Sequence, residues 1–170
     1  MEQFLHQDRV AAWLTQGHPA ERGGARSWRF DDVTVVPLGG TYEAVRIPVL
    51  TVRAAAGSSV WSAVADRLSE LLGGPAFYTT TYLYALVPVG TADSWSYGPA
   101  APCLGLSTYL GVPRLPRAGE PQQGHAGWLQ PPRRPGDLCV PAAVAALVEL
   151  GTAAEQQLAD ELPTPLGRIQ

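Results

Sequence analysis

The chain contains no lysine and no asparagine, and all twelve of its basic residues are arginine, against fifteen Asp and Glu. A net charge of -3 leaves no basic excess of the kind that nucleic-acid domains use to gather phosphates. The arginine bias reads first as the codon usage of a GC-rich genome, and it keeps bidentate guanidinium contacts available. Cysteine is scarce. Cys103 and Cys139 stand alone, with no C-x-x-C and no nearby histidine pair, which excludes a zinc-finger spacing and a disulfide framework. They read as two buried thiols in a reducing cytoplasm. No apolar run approaches a membrane span, and the N-terminus lacks the charged-then-apolar pattern of a signal peptide. The expectation is a cytoplasmic protein without a membrane partner. Also missing are G-x-G-x-x-G, a Walker motif, G-x-S-x-G and a strand bearing paired carboxylates. Their absence removes the usual fingerprints of dinucleotide binding, phosphate-loop chemistry, serine hydrolysis and two-metal catalysis.

What is present can build a core. At 170 residues, 46% hydrophobic and 16% charged, the chain reads as one globular domain. Residues 2–16 place Phe4, Leu5, Val10, Trp13 and Leu14 at helical spacing, ended by Gly17 and Pro19. Residues 19–27 are rich in Gly and Arg and read as a linker. Val33 to Val36 is a β-branched run stopped by Pro37, and Tyr42 to Ile47 alternates before Pro48. The Gly39-Gly40 turn between them predicts two neighbouring strands.

Residues 58–72 carry the clearest helical pattern, with Ser58 or Ser59 as cap and Gly73-Gly74 as stop. Residues 76–78 and 82–87 read as a strand pair, or one bent strand, around Thr79-Thr80-Thr81. Residues 92–102 form a Pro/Gly/Ser loop. Pro141 to Leu150 predicts a helix stopped by Gly151, and Thr152 with Glu155 offers a capping box for a second helix to about Leu162. The fold class expected is α+β: small mixed or antiparallel sheets with flanking helices, an N-terminal helix and a C-terminal helix pair. The divisions are 1–27 for the N-terminal helix and linker, 28–150 for the main domain, and 151–170 for the C-terminal helix and tail.

The most informative stretch is 104–132. An apolar run, Thr108 to Val112, stops at Pro113; a loop bearing Arg114, Arg117 and His125 follows; then Trp128-Leu129 runs into Pro131-Pro132. Proline cannot donate to a ladder, so Pro113 and Pro131 should close strands, which gives a hairpin-like unit with a basic loop. A Cys-His nucleophile pair would need His125 beside Cys103 or Cys139, and nothing in the sequence brings them together.

In the order of these segments, from about Trp28 to Leu150, the chain resembles the primase–polymerase domain of bifunctional DNA primase/polymerases, a branch of the archaeo-eukaryotic primase group, in a short degenerate actinobacterial form. The resemblance rests on residues 33–37, 42–48, the helix to Leu72, 74–88 and, most specifically, 106–132. It implies a cleft between two small sheets. Active relatives carry an Asp-x-Asp pair on the second strand, where this chain has Tyr42-Glu43-Ala44-Val45-Arg46-Ile47. The phosphate-holding Ser/Thr-x-His motif falls on Thr79-Thr80-Thr81-Tyr82-Leu83-Tyr84, without histidine, and no third acid stands near residues 102–104. A single carboxylate does not hold two magnesium ions between phosphates.

The resemblance therefore implies a catalytically inactive binding or regulatory module, with no catalytic residue, no metal ligand and no cofactor. Its partner is expected to be a protein, with a nucleotide or nucleic acid in a vestigial cleft as the other occupant. The cleft walls would be Arg46, Thr80, Tyr82, Tyr109, Arg114, Arg117 and Trp128. Two rival readings are an enzyme with residual nucleotidyl or phosphoester chemistry, using Glu43 with Asp31 or Asp32, and a self-associating subunit, a homo-oligomer docking through Phe4, Leu5 and Trp13.

Overall fold

The computed structural model describes residues 2–19, 24–29, 31–116 and 126–161. Helix α1 (Glu2–Leu14) and a 3-10 helix (Gly24–Arg29) precede strands β1 (Val33–Pro37) and β2 (Glu43–Pro48). Helices α2 (Val49–Ala56) and α3 (Trp61–Leu72) follow, then β3 (Ala76–Tyr78), β4 (Tyr82–Val87), a single helical turn α4 (Thr91–Ser94) and β5 (Cys103–Leu104). Strands β6 (Tyr109–Pro113) and β7 (Gly127–Gln130) and helix α5 (Pro141–Glu161) are the last of the described elements. The fold is α+β, with antiparallel sheets flanked by helices.

The described residues form two sheets. The larger runs β5-β2-β4-β3-β7, and the smaller is β1-β6; every pairing is antiparallel. Alternation along the strands sends side chains to opposite faces of the larger sheet, and each face builds its own core. On one face Val45, Ile47, Leu83, Ala85 and Val87 pack under α2, α3 and α5. On the other, Ala44, Phe77, Leu86 and Trp128 meet Tyr42, Val10 and Leu14 of α1, Trp28, and the inward residues Val36, Leu110 and Val112 of the smaller sheet.

Four expectations are corrected. First, β1 and β2 are not partners. A tight turn does form, since Gly39 N–H donates to the Tyr42 carbonyl, but β1 takes β6 and β2 takes β4 and β5. The turn is a crossing between sheets, and Gly39, at φ +89, passes so close to Leu106 that a Cβ would sit 2.7 Å from its backbone. Second, the 104–132 unit is not a hairpin: β6 pairs β1 in the small sheet, and β7 pairs β3 at the edge of the large one. Third, the C-terminal helix pair is one helix, continuous through Gly151. Glu155 accepts a hydrogen bond from the Thr51 hydroxyl at 3.0 Å instead of closing a capping box. Fourth, the end of the linker is structured: the 3-10 helix begins at the buried Gly24 and runs on to the buried Trp28 of the main domain, whose indole N–H donates to the Val112 carbonyl at 3.1 Å.

Helix α2 was not foreseen. It follows Pro48 directly and ends at Gly57 in the left-handed region. Helix α3 behaves as its spacing predicts, except that Val60 occupies the cap position and Ser58 Oγ accepts from the Val60 N–H.

Candidate ligand-binding face

Arg46 and Tyr84 lie opposite each other on β2 and β4, and the same register continues to Phe77 on β3 and Trp128 on β7. One row of side chains therefore crosses four strands on the face turned toward the smaller sheet. Tyr82, two residues before Tyr84, shares that face, and its ring lies 4.8 Å from Cζ of Arg46. Tyr82 and Tyr84 meet edge to face at 6.2 Å, Tyr84 stacks on Phe77 at 5.0 Å, and Phe77 meets Trp128 edge to face at 5.3 Å. The row grades from a buried end at Phe77 and Trp128 to a half-exposed end at Arg46, Tyr82 and Tyr84. Burial pushes the Tyr84 phenol above its ordinary range, and the Arg46 charge partly opposes that.

The turn before Tyr82 is built by threonine. Thr79 Oγ1 accepts from the N–H groups of Thr81 and Tyr82, and the Thr79 N–H donates to the Tyr82 carbonyl. Thr80 is exposed in this turn.

Of the cleft residues expected from sequence, then, Arg46 and Tyr82 come together, while Thr80 lies exposed in the turn two residues before Tyr82. Trp128 shares the row but is buried, and its indole N–H is taken by the Pro113 carbonyl at 3.1 Å. Tyr109 stands 67% exposed on the outer side of the small sheet, away from the core-facing Leu110 and Val112. Arg114 sits at the end of β6 with Asp32, 3.8 Å away. Arg117 and His125 lie outside the described residues. Tyr84 was missed as a site residue. The Tyr82-Leu83-Tyr84 alternation puts both rings on one face, but only the β2 register adds Arg46 to them.

Glu43 has a different task. Its buried carboxylate accepts the N–H of Gly90 at 3.1 Å and of Ala92 at 2.7 Å, which pins the turn that starts α4. The Cys103 thiol faces the same carboxylate at 3.8 Å, and burial, followed by the Glu43 charge, pushes that thiol up to about 12. Asp31 and Asp32 are exposed at the start of β1, in the other sheet. The residues present do not fit the two-metal arrangement of active primase–polymerases, because the one strand carboxylate is committed to backbone donors and the other two acids do not join it. Among the described residues, no three His, Cys, Asp or Glu side chains gather where they could hold a metal ion.

The N-terminal helix packs on its own domain through Val10 and Leu14, and Trp13 lies 5.5 Å from Tyr42; Leu5 is exposed, and the Phe4 side chain lies outside what is described. A broader apolar strip, Val33, Val35 and Tyr109, faces outward on the small sheet. Among the described residues no helix is long and apolar enough to cross a membrane. No family model, no curated protein and no solved structure matches this chain.

Proposed function

We propose that the chain is a catalytically inactive, primase–polymerase-like domain that serves in the cytoplasm as a binding or regulatory module, with a protein as its main partner. The observation that carries the reading is the commitment of Glu43. A carboxylate serving a metal–phosphate reaction offers its oxygens to the ion, whereas each Glu43 oxygen already accepts a backbone N–H, one from Gly90 and one from Ala92, and holds the start of α4. The acidic balance of the chain favours a protein partner over a polyanion. The exposed Val33, Val35 and Tyr109 strip supplies apolar surface for such contacts.

The test is a titration of the full chain with nucleoside triphosphates and short single-stranded DNA, with and without magnesium, at two salt concentrations. The reading expects no magnesium-dependent turnover. Turnover that needs magnesium and is lost in Glu43→Gln would sink it.

A further inference from the structure

Among the described residues, Arg46 is a cation without an anion: no Asp or Glu there pairs with it, and its Nε is shut away from solvent without an acceptor. Its Cζ lies over the Tyr82 ring, which fixes the face of the guanidinium; with Nε enclosed, the Nη donors are the ones that point to solvent, where an incoming acceptor can meet them. The Nη1–Nη2 pair is a fork that can grip a carboxylate or phosphate with two parallel hydrogen bonds. The residue is half-buried as a whole, so the acceptor arrives from the solvent side.

The surroundings define the rest of the ligand. Tyr82 and Tyr84 present half-exposed rings, and neither hydroxyl is hydrogen-bonded to a described residue. A single guanidinium on a chain of net charge -3 suits one oxyanion rather than a run of phosphates. Two phenol rings beside it suit one planar group, held by offset or edge contacts.

We infer that Arg46, Tyr82 and Tyr84 form a binding site for a small aromatic oxyanion, a planar ring joined to a phosphate or carboxylate group, of about nucleoside-monophosphate size. The oxyanion sits on the outer Nη1–Nη2 end of Arg46 and the ring against the tyrosine pair. The inference rests on the reading of the domain as a binding module and names a ligand for it.

The experiment is isothermal titration of the full chain, without magnesium, using adenosine monophosphate, adenosine, inorganic phosphate and benzoate. At least one ring-bearing oxyanion is expected to bind tenfold or more tighter than adenosine and inorganic phosphate. Preference for the monophosphate assigns a phosphate source, and preference for benzoate a carboxylate source. Arg46→Lys keeps the charge but loses the fork, and is expected to weaken that binding at least tenfold. Tyr82→Leu removes the stacking ring and should do the same, giving a second variant if the first does not fold.

Affinity for the better of the two ring-bearing oxyanions no higher than for adenosine would overturn the site, as would Arg46→Lys binding like the native chain, or the absence of binding by both oxyanions. Single-stranded DNA binding more tightly than the monophosphate would overturn the small-ligand assignment. Each of these failures leaves the inactive-module reading standing, since only magnesium-dependent turnover removes that.

Discussion

The indole N–H of Trp128, on the edge strand of the large sheet, donates to the carbonyl of Pro113, on the small sheet, at 3.1 Å. Both partners are buried, so this bond ties the two sheets together where water cannot substitute for either side. Trp128→Phe keeps a ring against Phe77 but leaves the Pro113 carbonyl without its donor. The expected cost is about 1–3 kcal/mol of unfolding free energy, read by chemical denaturation. A variant as stable as the native chain would show that the bond does not hold the sheets.

Gly151 is needed where helix α5 crosses α2. A methyl group there would lie 2.6 Å from Cγ2 of Thr51 and closer still to the Thr51 carbonyl oxygen, which is backbone and cannot swing aside. In an exposed helix interior Gly→Ala is favourable by about 1 kcal/mol. Here overpacking of about 1–3 kcal/mol opposes it. Gly151→Ala is expected to lower the melting temperature, and a rise would mean that the two helices separate without penalty.

The two cases mark what sequence reading reaches. Strand ends at Pro37 and Pro48 and the body of α3 were legible, because proline and the three-and-four spacing act locally. Strand partners were not: the alternation of Tyr42 to Ile47 fits any neighbour, and Gly39-Gly40 looks like a hairpin turn whether or not the chain then changes sheet. Gly151 looked like a helix stop because its reason for being glycine, the Thr51 backbone, is a hundred residues away in the chain. Arg46 and Tyr82 were each nameable as cleft residues, but Tyr84 joins them only once β2 and β4 are in register.

Glu43→Gln separates structure from catalysis. The carboxylate accepts two backbone N–H groups; an amide of the same shape has one acceptor oxygen and turns its NH2 toward the second donor. Charge-assisted bonds of this kind and the donor left behind correspond to about 1–3 kcal/mol. The expectation is a lower unfolding midpoint. Millimolar magnesium should leave the native melting temperature where it was. A magnesium-induced rise that disappears in Glu43→Gln would return this carboxylate to a metal-binding role.

The buried thiol of Cys139 gives the fold an alkaline limit. Burial, with a smaller push from Asp137, raises it from its ordinary 9.0 to about 12, and it donates to the Pro75 carbonyl at 3.4 Å. The native state thus keeps the proton that the unfolded chain gives up first. The stabilisation this provides is complete below pH 9 and is lost as pH climbs from 9 toward about 12. Denaturation curves of the native chain and Cys139→Ala, taken at pH 7, 9 and 10.5, should converge as pH rises, because only the native chain carries this ionisation. The thiol should also resist disulfide-forming reagents at pH 8 until the chain is unfolded. Parallel stability curves, or rapid labelling of Cys139 in the folded protein, would mean that the thiol is not held protonated by its surroundings.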